Sequence, residues 1–441
     1  MIKRVYTYLL AILIAVCAAS CAEETCDIIY PDGGTFKERL ERLPEVVKVT
    51  AEDPGTFNER YKVYFRQPID HDNPSAGSFT QLVYVMLNHA DSVNVLVTEG
   101  YYAFDAQRVQ ELVPMFGANQ IVVEHRYYGE SVVDDPSYRY MNADNSCDDL
   151  HAVVSALKQV LGGKWISTGV SKSGLTCNMY RAWYPQDVDV TVPYGTPFCT
   201  GRYDTRTADA LAHTIGTPEQ RGQMLAFMRE ALMRRDAMAP MFEAAAREAG
   251  ITLPLPAREL WDLHVMDWQA AAWMLSYDLD LMPALDASDK EIFDYIMNLD
   301  DACTWDTSYD VNKYYIQAYS ELGHMAYCTE GIEDLLVVSD AVLGDYLRYT
   351  YLPEGYPDTF STAMHDKVDA FLRSTDAKYV FIYGGNDPWY YAGVGDEYIN
   401  GDNICRYVLP GAGHHTAISE FDPATRQQIK HKIEEFLGRR Q

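Results

Sequence analysis

Clustered basic residues are missing from this chain: 36 lysines and arginines stand against 64 aspartates and glutamates, a formal charge of −28. A protein that grips phosphate backbones needs grouped cations, so nucleic acid is excluded as a partner. Neither a C-x-x-C pair nor an H-E-x-x-H motif occurs. That removes the common zinc and dithiol signatures, and no metal or cofactor is expected. Internal repeats and low-complexity tracts are absent, and strand-like apolar runs nearly vanish between about 200 and 375.

What is present is a chain of 441 residues, 48% hydrophobic and 23% charged, which reads as globular and long enough for a large core and more than one domain. Residues 1–21 stand apart. Lys3 and Arg4 precede an apolar run from Tyr8 to Val16, then Ala18-Ala19-Ser20 and Cys21. The pattern predicts a cleaved export signal, not a membrane span. It resembles a bacterial lipoprotein signal with Cys21 as the lipid-bearing residue and membrane anchor; simple cleavage near Ala19 is the alternative. The expected place is the cell envelope. Without Cys17 and Cys21 seven cysteines remain, at 26, 147, 177, 199, 303, 328 and 405. Export permits disulfides, but an odd count leaves a thiol free and spacing gives no pairing.

Residues 22–55 read as a polar tether. Tyr61 to Phe65 and Gln81 to Leu87, with Pro74 and Gly77 between, predict an antiparallel hairpin. Val93 to Thr98 and Gln120 to Glu124 suit buried parallel strands, with a helix-like segment from Ala106 to Val113 between them. A helix over Asp148 to Leu161 leads to the strand before Ser171, and Val188 to Val192 follows. Alternating β and α predicts an α/β fold with a mostly parallel sheet. Helical periodicity then takes over in Glu219 to Ala237, Met241 to Ala249, Asp267 to Ser276, Lys290 to Leu299 and Val311 to Leu322. Strand signals return at Lys378 to Tyr383 and Ile404 to Leu409, and a helix from Pro423 to Leu437 closes the chain. The expectation is a catalytic domain of 56–200 and 376–441 interrupted by a helical cap, 201–375. Insertions at the catalytic edge of such sheets cover the ligand crevice.

Ser171 sits in Gly169-Val170-Ser171-Lys172-Ser173-Gly174, where a strand-like run meets a helix-like one. Asp387 and His414 each follow a later strand-like run. The order serine, acid, histidine belongs to the α/β-hydrolase arrangement. A serine hydroxyl needs a base to take its proton and an acid to orient the base, and His414 and Asp387 supply those roles. The alternatives are that Ser171 only caps the following helix, that Asp387 is an ordinary turn aspartate, and that adjacent His415 is the base. The oxyanion needs two donors. The Lys172 N–H is one, and Gly100 or Tyr101, in the loop after the Val93 to Thr98 run, supplies the other. Ser173 departs from G-x-S-x-G, and a side chain there is expected to add strain that glycine would not.

Gln67-Pro68-Ile69-Asp70-His71-Asp72-Asn73-Pro74, Thr98-Glu99-Gly100-Tyr101, Glu124-His125-Arg126-Tyr127-Tyr128-Gly129-Glu130-Ser131, Gly169-Val170-Ser171-Lys172 and Tyr315 to Gly323 resemble the S37 family of secreted bacterial serine peptidases, the prolyl tripeptidyl aminopeptidases. Several of these runs, with Asp387-Pro388-Trp389 and the paired histidines, are shared with the related S28 family. The likeness covers about 60 to 437. In the S37 pattern Lys-Gly-Gly follows the serine, so Ser173 is a departure. The resemblance implies peptide substrates, with release of short peptides, typically tripeptides, from free amino termini and proline favoured before the cut. Such an enzyme needs an anion for the substrate ammonium. Glu99, Glu124 and Glu321 are available, although an ion pair of Glu124 with Arg126 is the favoured reading of that pair. Trp389, Trp268 and Tyr319 are aromatic candidates for the proline ring, against the plainer reading that they are core. An esterase or lipase on the same fold, and a catalytically silent binding lipoprotein, are the rival functions.

Overall fold

A computed structural model describes residues 34–298 and 310–438. The expected signal with Cys21, and Cys26 and Cys303, lie outside the described residues. The strands are β1 (Val46–Ala51), β2 (Glu59–Pro68), β3 (Ser78–Leu87), β4 (Asn94–Thr98), β5 (Asn119–Val123), β6 (Trp165–Val170), β7 (Val190–Tyr194), β8 (Tyr203–Asp204), β9 (His324–Met325), β10 (Lys378–Gly384) and β11 (Ile404–Leu409). Nine of them form one sheet in the order β1-β2-β3-β5-β4-β6-β7-β10-β11, while β8 and β9 make a separate two-stranded piece. From β5 through β11 every neighbouring pair is parallel, and the β1-β2-β3-β5 edge is antiparallel. The order reversal at β5-β4 and the parallel run beyond it make this the α/β-hydrolase fold.

Both faces of the sheet are covered, so successive side chains of one strand enter two cores. Val83, Val85 and Leu87 of β3 join one core, with Tyr379 and Phe381 of β10. Leu82, Tyr84 and Met86 join the other, with Val380 and Ile382. The strands therefore read as continuous apolar runs.

The tether reading of 22–55 fails over its second half. A helix, Phe36–Glu41, starts from a capping box at Thr35 and Glu38, and buries Phe36 and Leu40. β1 then pairs with β2. An edge strand whose side chains remain mostly in solvent carries little apolar pattern, and Lys48 and Thr50 gave it a polar look. The sheet domain thus begins near residue 36, not 56. The Ala106 to Val113 segment is two short pieces, Phe104–Gln107 and Leu112–Phe116. The helix placed at Asp148 begins at Ala143, because Asn142 accepts the Asn145 N–H as its cap.

Between β7 and β10 the regular elements of the described residues are helices apart from β8 and β9. Helices Pro218–Met233, Arg235–Glu248, Ala257–Met274 and Asp289–Met297 pack around Phe227, Trp261, Trp268 and Phe293 as a core of their own. Trp389 and Ala392, from the segment after β10, enter that same core and tie the insertion to the rim of the sheet. All five cysteines among the described residues, 147, 177, 199, 328 and 405, are buried free thiols.

Candidate active site

β6 ends at Val170, and Ser171 turns the chain with φ 61° and ψ −126° before the helix Lys172–Trp183. That backbone costs a non-glycine residue on the order of 1–3 kcal/mol and is the conformation of a nucleophile elbow. Its side chain makes no capping hydrogen bond, so the helix-cap reading is set aside. Close approach explains the flanking glycines. A Cβ on Gly169 would meet the Ser173 backbone at 2.5 Å, and one on Gly174 would meet Thr196 Oγ1 at 2.2 Å. Ser171 N–H is anchored on Tyr194 O at 2.9 Å.

Asp387 and His414 arrive on the loops after β10 and β11. These loops touch: a Cβ on Gly384 would meet Gly413 O at 2.0 Å, and Asn386 N–H donates to Ala412 O at 2.8 Å. His414 Nδ1 donates to Asp387 Oδ2 at 2.7 Å, both groups buried, while Asp387 Oδ1 accepts the Trp389 N–H at 3.0 Å. Asp387 is therefore both a turn cap and the partner of the imidazole. With Nδ1 holding the proton, Nε2 presents a lone pair. It is buried without a hydrogen-bond partner among the described residues, so the bond to the Ser171 hydroxyl is not formed in this structure. Such bonds commonly tighten only when substrate is bound. The ring lies against Gly195, where a Cβ would stand 3.0 Å from Nδ1, and Gly195 directly follows the carbonyl that holds Ser171. Asp387 selects His414; neighbouring His415 is exposed. One contact has no sequence signal: Met274 O, at the end of a cap helix, accepts the His414 N–H at 2.8 Å.

The loop after β4 is packed onto the serine helix. Gly100 N–H donates to Ser173 Oγ at 2.9 Å, which engages one of the two expected oxyanion donors and leaves Tyr101 as the other candidate. Gly100 itself is required by proximity, since a Cβ there would stand 2.8 Å from Lys172 Cγ. Ser173, expected to strain the turn, instead bridges it: its Oγ also donates to Glu99 Oε2 at 3.2 Å.

The three candidate acids differ. Glu124 does not pair with Arg126; it accepts Ala103 N–H, Glu130 N–H, Ser131 N–H and Ser131 Oγ–H at 2.8 to 3.0 Å. Arg126 is taken by Asp149, with two contacts of 2.7 Å. Glu99 is buried, accepts Asp105 N–H at 2.8 Å, and is pushed well above the usual carboxylate range by burial and by the Asp105 charge. Glu321 belongs to the cap, in a π-helical turn, Ala318–Leu322, that continues the helix Lys313–Gln317. Turns with this extra residue recur at functional sites. Glu321 is half-buried and takes a hydrogen bond from Gln317 Nε2 at 2.9 Å, and burial raises its pKa to about 7 against the pull of that amide, of the Ala143 N–H and of the Lys172 charge. The i, i+4 spacing of Gln317 and Glu321 was the available clue to this pair.

The aromatic candidates divide too. Trp268 is cap core, against Phe227 and Tyr295. Tyr319 is buried, its hydroxyl donating to Asp358 at 2.8 Å and its ring under Arg202 at 4.0 Å, so it serves the cap. Trp389 is buried beside Asp387 and meets His324 edge-on at 5.4 Å.

The chain is similar to known proteins at different distances. The prolyl tri/tetrapeptidyl aminopeptidase of Streptomyces mobaraensis is 27% identical over 445 residues, 96% of this chain and 89% of its own. Among solved structures, a proline iminopeptidase of Mycobacterium smegmatis aligns with a TM-score of 0.40 at 13% identity, covering 85% of this chain and 97% of its own. A 2-hydroxy-6-oxo-6-phenylhexa-2,4-dienoate hydrolase of Rhodococcus aligns with a TM-score of 0.38 at 12% identity, covering 88% and 100%. The fold rests on the strand order and the serine turn, not on these distant likenesses. The profile of the PS-10 peptidase S37 family matches residues 30–439, which takes in the serine turn, the cap and the histidine loop together, and the chain accordingly belongs to that family of serine peptidases.

Proposed function

We propose that this chain is an exported aminopeptidase that releases short peptides, chiefly tripeptides with proline before the cut, from free amino termini. Ser171 attacks the carbonyl as His414 Nε2 takes its proton. Asp387 holds the imidazole in the tautomer that makes this possible and stabilises its charge. The Lys172 and Tyr101 N–H groups receive the oxyanion, and His414 returns the proton to the leaving amine. The acyl-enzyme is then cleared by water through the same groups.

The observation that carries the exopeptidase reading is Glu321. Glu99 and Glu124 are committed to neighbouring N–H and O–H groups of their own loops, whereas Glu321 stands in the cap near Lys172, half-exposed, with the Gln317 amide and the Ala143 N–H beside it. A carboxylate at that place pairs with a substrate ammonium and measures the length from amino terminus to scissile bond. The name of the Streptomyces mobaraensis relative supports tripeptide or tetrapeptide release. Trp389 is the aromatic proposed beside the prolyl ring. Export rests on the pattern of residues 1–21, with Cys21 as the proposed lipid anchor.

The test is a set of chromogenic amides of two to five residues ending in proline or alanine, each with a free or acetylated amino terminus. Fastest release from free, proline-ending tripeptides is expected; equal turnover of acetylated peptides would overturn the reading. Globomycin-sensitive processing and acylation at Cys21, detected by mass spectrometry, tests the anchor, and an unmodified amino terminus at another residue would refute it.

A further inference from the structure

The scheme above uses only the backbone of Lys172, yet its side chain is fully buried one residue from the nucleophile. Its Nζ donates to Gly100 O at 2.5 Å and to Tyr128 OH at 3.4 Å, and lies 5.2 Å and 4.8 Å from the ring centroids of Tyr101 and Tyr128. No carboxylate touches it among the described residues; burial brings its pKa down to about 7, opposed by the charge of Glu321. Burying an ammonium on carbonyl, hydroxyl and ring contacts alone is costly, and a leucine or methionine would fill the space more cheaply.

The carbonyl it holds is informative. Gly100 C=O and Tyr101 N–H belong to one planar peptide unit, and that N–H is the second proposed oxyanion donor. The neighbouring groups are pinned as well: Gly100 N–H on Ser173 Oγ at 2.9 Å, and Tyr101 O under His125 N–H at 3.0 Å. We infer that the Lys172 side chain is a positioning residue of the oxyanion hole, fixing and polarising the Gly100–Tyr101 peptide so that its N–H is aimed at the developing negative charge. A hydrogen bond to a carbonyl draws electron density from the amide and strengthens its N–H as a donor, an effect of roughly 10–30% per bond in condensed phase. A charged donor in a low-dielectric site adds to it. Arg126, His125, Glu321, Lys313 and Tyr314 are other charged or titratable groups around this lysine and its tyrosines.

The inference rests on Ser171 as nucleophile and Tyr101 as donor, and its test separates the two. In the full chain, Lys172→Met is assayed for kcat and KM on a proline-ending tripeptidyl amide. Its affinity is also measured for the matching tripeptidyl aldehyde, whose hemiacetal oxygen enters the hole, and for the product tripeptide. The expected result is a kcat loss of about tenfold to hundredfold, below the roughly 10²–10³ of a whole missing donor. KM and product affinity stay within about twofold, and aldehyde affinity falls in parallel with kcat. Unchanged kcat overturns the inference, as does a loss carried by KM and product affinity, which would make Lys172 a substrate-binding group. If Lys172→Met fails to fold by circular dichroism, Lys172→Gln is read by the same criteria. Ser171→Ala runs alongside: full loss there with wild-type behaviour of the lysine variant refutes only the inference, whereas retained turnover refutes the nucleophile.

Discussion

The rim of the sheet and the cap both carry buried acids, and they use them in opposite ways. At the rim Glu124 is surrounded by donors that shape the turn at 124–131, and Glu99 supports the loop beside the serine through Asp105 N–H and Ser173 Oγ. In the cap Glu321 is held by Gln317 and by the Ala143 N–H and stays half-exposed, in a turn that breaks the α-helical register. Carboxyl groups enclosed and satisfied by the fold stabilise it, while one that stays half-exposed is available for something that arrives later. On the proposed function, bond breaking belongs to the rim and recognition to the cap.

The largest expected effect tests the rim. Asp387→Asn leaves the geometry in place but favours the wrong imidazole tautomer, and kcat should fall by about 10⁴ with little change in KM; steady-state kinetics with a matched circular dichroism spectrum checks it. Next is the cap: Glu321→Gln should raise KM for free tripeptidyl amides by about 10- to 100-fold, the scale of a lost charged hydrogen bond. It should also nearly erase discrimination against acetylated substrates. Glu124→Gln should do the reverse, lowering the unfolding temperature by a few degrees through lost donors while leaving KM alone. If both glutamate variants behave alike in kinetics and melting, the division between rim and cap is wrong.

Two smaller effects follow from the raised pKa of Glu321. The ratio of kcat/KM for free over acetylated substrates cancels His414, which acts on both. It should rise as pH climbs through about 7 and the Glu321 carboxyl ionises. It should fall again near about 8 as the substrate amine loses its proton. In Glu321→Gln the rising limb should disappear. The smallest effect is on stability. The folded state holds this proton more tightly than the unfolded chain, whose value is 4.5, so the contribution is complete below that pH and is lost as pH rises to about 7. Thermal unfolding of wild type and Glu321→Gln should therefore coincide near pH 4 and separate by pH 8, with the variant the more stable.

The places of Ser171, Asp387 and His414 after strands were the legible part of the sequence. A glycine-flanked serine, an aspartate and a histidine must each follow a strand, and apolar runs mark strands buried on both faces. Less legible were contacts made across the chain. β1 was hidden because an edge strand keeps polar side chains. Arg126 looked like the partner of Glu124 two residues away, yet the strand ends at Val123 and the turn after it sends the two to different neighbours. The π-helical turn at Glu321 was invisible because Tyr315 to Leu322 has ordinary helical periodicity, and one extra residue per turn leaves no composition mark. Ser173 read as a defect because its partner, Gly100 N–H, lies 73 residues away.

The central claim, that the imidazole of His414 turns Ser171 into a nucleophile, is met most directly by locating covalent attack. Treatment of the full chain with a fluorophosphonate, followed by intact-mass and peptide mapping, should give one adduct, on Ser171, formed at least about 10³ times more slowly after His414→Ala. An adduct on another residue, or equal labelling of the variant, would contradict it.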